Sequence, residues 1–254
     1  MKPKIQPINL SHPSKRLYFL IHGYTGSPTD FNGLPEHINK NCEANVKVML
    51  LPGHGTRIED LDNVRYKDFV RAVEEELNED IKKYDEVIIG GVSFGAQLAL
   101  IMGSRYPAKG VFNICVPYKL RFPFNIPGIS VLGHFKKYWP KFIPEEQLIL
   151  RKDAFHYKQV HINGLKIVKL ANKDVRHALP QITCPTITIY SQNDRIGNYE
   201  SFKKMERKIK APHVKAIFDE EAHNIFFSNK RLEVYEKIVD FFKNPPEENE
   251  QQNT

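Results

Sequence analysis

The sequence predicts an α/β fold, with a mostly parallel central sheet, helices on both faces and a helical insertion near its middle. Three observations carry this. Short apolar runs at residues 17–21, 46–51, 87–92 and 110–116 do not alternate with polar residues, as expected of strands buried on both faces. Amphipathic stretches with short connections separate them, and strand–helix alternation of that kind implies a parallel sheet. The pattern breaks over residues 117–180 and resumes at 185–190 and 214–218. That break reads as an insertion into one domain.

Taken in order, residues 3–8 form an edge strand whose pairing Pro3 and Pro7 limit. Lys15-Arg16 and Gly23 bound the strand 17–21. Residues 22–28 are a loop, and Thr29 and Asp30 are candidate caps for a helix over 30–40. The strand 46–51 ends in the turn Pro52-Gly53-His54-Gly55. Phe69, Val70, Val73, Leu77 and Ile81 recur at helical spacing and predict a helix over 65–83. A strand over 86–92, a helix over 94–105 and a strand over 110–116 follow. The insertion holds no convincing core strand. Its helices are expected at 144–158, where Pro144 suits the first turn, and at 162–179, with a stripe at Leu165, Val168, Val175 and Leu179. The strand 185–190, helix 199–210, strand 214–218 and helix 230–243 complete the chain. The expected division is a core of 1–116 and 181–243, an insertion of 117–180 and a polar, disordered tail of 244–254.

A chain of 254 residues that is 41% hydrophobic can bury a core of ordinary size. It has three cysteines, an odd number, and no charged-then-apolar leader. Reduced thiols in a cytoplasmic protein are expected, with Cys115 a small core residue. No stretch reaches the roughly 18 apolar residues of a spanning helix, so a soluble protein without stable membrane insertion is expected. The net charge of +7 comes from scattered lysines without a nucleic-acid motif. It reads as a solvated basic surface, and no nucleic-acid partner is expected.

The chemistry gathers around Gly91-Val92-Ser93-Phe94-Gly95, at the end of one apolar run and the start of a helix-forming one. A serine hydroxyl is a poor nucleophile and must stand clear of the backbone to meet a base. A tight strand-to-helix turn lifts it out, and flanking glycines remove the collisions this causes. The competing reading is a serine N-cap on an ordinary helix. A base is available in His223, in the loop after the last strand, and an acid in Asp194, after the preceding strand. Such loops converge at the carboxyl ends of parallel strands. Asp219, Glu220 and Glu221 lie nearer to His223 in sequence but along the same strand or loop. The N–H groups of Phe94 and Tyr24 are the candidate oxyanion donors. His22 and His54 read as histidines that brace loops rather than as second bases.

These residues, with His22-Gly23-Tyr24 and Leu51-Pro52-Gly53-His54-Gly55, resemble the α/β-hydrolases, in which the triad runs in the order Ser93, Asp194, His223. Within that superfamily the chain is similar to small bacterial carboxylesterases and monoacylglycerol lipases over about residues 16–243, least so in the insertion. The resemblance implies an α/β-hydrolase fold with a helical lid at 117–180. It also implies hydrolysis of short- to medium-chain esters or monoacylglycerols, small molecules that need no metal or cofactor. In that group the residue after His-Gly supplies an oxyanion amide, which here is Tyr24. The lid departs from the group in its prolines and aromatics. Phe122, Phe124, Phe135, Trp139 and Phe142 are expected partly to pack on the core and partly to line an apolar acyl pocket favouring uncharged esters. Two other readings stay open. One is an acyl thioesterase whose basic lid (Lys119, Arg121, Lys136, Lys137, Lys141) docks an acidic carrier. The other is a ligand-binding protein that keeps the fold without catalysis.

Overall fold

The apolar runs become strands because helices cover them from both sides. The structure, a computed structural model, describes residues 5–122, 124–125, 137–141, 143, 145–220 and 222–245. Seven strands form one sheet. In chain order they are β1 (Ile8–Leu10), β2 (Arg16–Ile21), β3 (Asn45–Val48), β4 (Glu86–Val92), β5 (Gly110–Ile114), β8 (Thr186–Ser191) and β9 (His213–Phe218). Their order across the sheet is β1-β3-β2-β4-β5-β8-β9. Only β1 is antiparallel to its neighbour. It begins at Ile8, just after Pro7, rather than at residue 3, because proline has no N–H to give to a ladder. The α/β class, the mostly parallel sheet and the helices on both faces are as the sequence predicts.

Alternate residues of one strand feed two cores. Leu17, Phe19 and Ile21 of β2 face α2 (Tyr66–Asp80) and α3 (Phe94–Arg105). Tyr18 and Leu20 face α1 (Leu34–Asn41) and α7 (Arg231–Lys243). A strand used on both faces has no polar side to show, hence the unbroken apolar run.

Two helices differ from expectation. The helix foreseen over 30–40 is split into a 3₁₀ turn, Pro28–Phe31, and α1. Ser27 caps the turn by accepting from Thr29 N, and Asn32 and Gly33 then adopt positive φ, which interrupts the helix. The helix foreseen over 144–158 stops as α4 (Glu145–Leu150). Beyond it the backbone is drawn onto the loop after β2, with Phe155 N donating to Thr29 Oγ1 at 2.9 Å and Phe155 O accepting from Ser27 Oγ at 3.1 Å. These tertiary bonds outweigh helix propensity.

Among the described residues, the chain between β5 and β8 adds no strand to this sheet. It forms a separate antiparallel hairpin, β6 (Tyr138–Pro140) with β7 (Gln159–His161), and α5 (Asn163–Ala178). One carboxylate ties the hairpin down. Asp62 accepts from Lys137 Nζ at 2.8 Å and Tyr138 OH at 2.6 Å, and lies 3.0 Å from His161 Nε2. α5 packs directly on α3. The buried Gln97 amide donates to Val168 O and to Asn172 Oδ1, and Asn172 donates to Pro117 O. α6 (Tyr199–Glu206) lies between β8 and β9 in sequence. The loops after β2, β4, β8 and β9 all leave the carboxyl edge of the parallel strands, and the chemistry-bearing residues sit in these loops.

Candidate active site

Ser93 joins β4 to α3 at φ 56° and ψ −120°. A non-glycine residue in that region costs on the order of 1–3 kcal/mol and persists only where its surroundings over-determine it. They do so here. Ser93 N donates to Ile114 O at 2.9 Å. A Cβ on Gly95 would overlap the Ile21 carbonyl oxygen, and one on Gly91 would overlap the Gly95 carbonyl. Only glycines let strand, turn and helix approach so closely. The Ser93 side chain makes no cap bond to α3, which removes the N-cap reading. Its hydroxyl points instead to a base.

Ser93 Oγ lies 2.7 Å from His223 Nε2, and His223 Nδ1 lies 2.8 Å from Asp194 Oδ2. A carboxylate can only accept, so Nδ1 carries the proton and Nε2 presents a lone pair to the hydroxyl. Asp194 is fully buried. Its other oxygen, Oδ1, accepts from Ile196 N at 2.7 Å and Gly197 N at 3.0 Å. These bonds fix which oxygen faces the imidazole. Arg121, noted in the sequence only for its charge, donates to the Asp194 carbonyl at 2.7 Å and so braces the same turn. Asp219 is engaged elsewhere, its Oδ1 2.6 Å from Asn193 Nδ2. Glu221 lies outside the described residues.

The loop after β2 runs beside the serine. A Cβ on Gly23 would sit 3.3 Å from Ser93 Cβ. Among the described residues nothing accepts from the N–H of Tyr24 or of Phe94, so both donors are available next to the Ser93 hydroxyl. Two buried histidines hold this loop. His22 Nε2 accepts from Leu51 N at 3.1 Å, and His54 Nε2 accepts from Thr25 N at 3.0 Å. A backbone N–H can only donate. Each ring therefore carries its proton on Nδ1 and gives it to a carbonyl, that of Gly23 for His22 and that of Pro52 for His54. Both act as loop braces, as the sequence suggests. Burial is the main cause that pushes His22 well below the usual histidine range and His54 from 6.5 down to about 4.

That depression has a consequence for stability. Between pH 6.5 and 4 the unfolded chain binds a proton at His54 that the folded chain does not. Stability therefore rises with pH across this window and is lost as pH falls through it. His54 alone contributes a loss of about 2 kcal/mol between pH 7 and pH 5. The measurement is urea unfolding at the two pH values. His54→Gln should show a loss smaller by about that amount, and equal losses in both proteins would contradict the assignment.

Of Phe122, Phe124, Phe135, Trp139 and Phe142, three fall among the described residues. Phe122 is 76% exposed, and Trp139, in the strand β6, is 41% exposed. Phe124 packs, partly buried, against the α2–α3 core. Phe135 and Phe142 lie outside the described residues. The rings of Tyr24, Phe69, Phe94 and His54 pack edge to face. Among the described residues no group of three or more His, Cys, Asp or Glu side chains is placed to hold a metal ion, and no helix is long and apolar enough to cross a membrane.

Comparison with known proteins gives a consistent picture. A model of the alpha/beta hydrolase family matches residues 18–235. A carboxylesterase of Bacillus subtilis (strain 168) is 24% identical over 230 residues, 88% of this chain and 91% of that protein. A thermostable monoacylglycerol lipase of Bacillus sp. (strain H-257) is 26% identical over 181 residues, 70% of each chain. A solved structure of the metagenome-derived lipolytic enzymes LipS and LipT superposes with a TM-score of 0.82 at 18% identity, covering 95% of this chain and 98% of that one. The monoacylglycerol lipase of Paleococcus ferrophilus gives 0.76 at 15% identity, covering 94% and 98%. At such identities the superpositions speak for the fold.

Proposed function

The chain belongs to the alpha/beta hydrolase family, and from that premise we propose that it is a serine hydrolase of carboxylic esters working through an acyl-enzyme. The observation that carries this is the 2.7 Å contact of Ser93 Oγ with His223 Nε2, at a strained turn whose serine caps nothing. Ser93 attacks the ester carbonyl as His223 takes its proton. Asp194 holds the imidazole in the required tautomer and stabilises the imidazolium. The amides of Tyr24 and Phe94 receive the oxyanion, aided by the positive end of α3. His223 then protonates the leaving alcohol, and water repeats the sequence on the acyl group. No metal or cofactor enters these steps.

The names of the curated relatives support small carboxylic esters, monoacylglycerols among them, as the substrate class. The resemblance to carboxylesterases and monoacylglycerol lipases supports short to medium acyl chains as well. Three free, buried cysteines agree with a cytoplasmic setting. The test is kcat/KM on p-nitrophenyl esters of two to twelve carbons, on monoacylglycerols and on acyl thioesters. Each buried methylene contributes up to about 0.8 kcal/mol, or roughly fourfold. The expected profile rises over the first several carbons and falls once the pocket is full. Thioesters preferred throughout would favour the carrier-thioesterase reading, and no turnover of any ester would contradict the proposal.

A further inference from the structure

Two cations of the insertion, Arg151 and Lys141, form no ion pair among the described residues. Arg151, at the end of α4, is only 7% exposed. Its guanidinium carbon lies over the ring of Phe227, 4.1 Å from the ring centre and four residues past His223. Its Nε is buried without a hydrogen-bond partner. Lys141 is partly buried. Both interact electrostatically with buried Asp30, which also feels His223, and Lys141 further acts on His54. The backbone that follows Arg151 is pinned to the loop beside Ser93 through Ser27, Thr29 and Thr25. Arg151 therefore lies between the loop after β2 and the loop that carries His223, and Lys141 lies within electrostatic reach of it.

Among the described residues the charges do not balance, since Lys141 and Arg151 bring two positive charges and Asp30 at most one negative. His54 and His156 are pushed towards the neutral form by burial first. Burial also lowers Lys141, to about 8, so it remains mostly charged at neutral pH. An uncompensated buried cation is costly, and a bound anion offsets that cost. Among the described residues no acceptor bonds the Arg151 guanidinium, whose N–H groups are of the kind that grip carboxylate or phosphate.

We propose that the ester hydrolysed at Ser93 carries an anionic group, a carboxylate or a phosphate, which Arg151 and Lys141 bind. This rests on the serine-esterase reading and sharpens its substrate class. It replaces the preference for uncharged esters expected from the aromatics of the insertion.

The test compares kcat/KM at pH 7 within three matched pairs. They are p-nitrophenyl pentanoate with mono-p-nitrophenyl glutarate, phenyl butyrate with 4-carboxyphenyl butyrate, and monobutyrylglycerol with monobutyrylglycerol phosphate. At least one anionic ester should exceed its neutral partner by about tenfold or more. That pair shows whether the anion is a carboxylate on the acyl side, a carboxylate on the alcohol side or a phosphate. For that pair Arg151→Met and Lys141→Met should each lower the anionic-to-neutral ratio about tenfold, while Arg151→Lys should retain more of it. A neutral preference in all three pairs of the unmodified protein would overturn the inference, with no variant needed. So would an undiminished ratio in folded Arg151→Met and Lys141→Met. Absence of turnover on every ester would instead defeat the esterase reading beneath it.

Discussion

Ser93→Ala is expected to lower ester turnover by about 10⁴-fold or more, with little effect on stability beyond the elbow itself. The size follows from what remains. The oxyanion amides and the substrate pocket persist in the variant, but the covalent route is gone and water must attack an unactivated ester. The alanine side chain still fits the strained turn, since φ 56° is imposed by β4, α3 and the two glycines rather than by the hydroxyl. Equal thermal unfolding of the two proteins, with turnover separated by several orders of magnitude, is the expected pair of results. A loss of less than about tenfold would mean that Ser93 is not the nucleophile.

The second large effect is expected at the acid. Asp194→Asn should cost about 10³–10⁴-fold in turnover. The hydrogen bonds explain why a change of one atom does so much. Oδ1 of Asp194 accepts from two backbone N–H groups, those of Ile196 and Gly197. An asparagine must place its oxygen there and its NH₂ towards His223 Nδ1. That forces the imidazole proton onto Nε2, where it faces Ser93 as a donor and cannot receive the hydroxyl proton. Asp219→Asn should cost less than about tenfold, because Asp219 is bonded to Asn193 and not to the imidazole. The reverse ranking, with both variants folded, would move the acid to the strand end.

Much of this was legible because it is local. The unbroken apolar runs mark strands covered on both faces. The glycines around Ser93 mark a turn in which backbone meets backbone, and the order of the strands carries Asp194 and His223 to the same edge of the sheet. The rest depends on meetings that no local pattern encodes. His22 and His54 could be read as braces, but their partners Leu51 and Thr25 lie 29 residues away. The early end of α4 is set by bonds from Phe155 to Ser27 and Thr29, more than a hundred residues earlier. Arg121 stands in the sequence only as one of the basic residues of the lid, and its bond to the Asp194 carbonyl, 73 residues away, has no local sign. The charged cluster of Asp30, Lys141 and Arg151 is invisible in sequence for the same reason, since its members come from separate segments and only folding buries them together. Which of the insertion's aromatics turn inward is not legible locally either, because hydrophobic character alone does not say that Phe124 packs on the core while Phe122 stays exposed.

The most direct measurement is a fluorophosphonate probe applied to the folded protein, with the adduct located by peptide mass spectrometry. One adduct on Ser93, absent from Ser93→Ala and slowed in Asp194→Asn, is the expected result. An adduct on another residue, or labelling of Ser93→Ala at an unchanged rate, would contradict it.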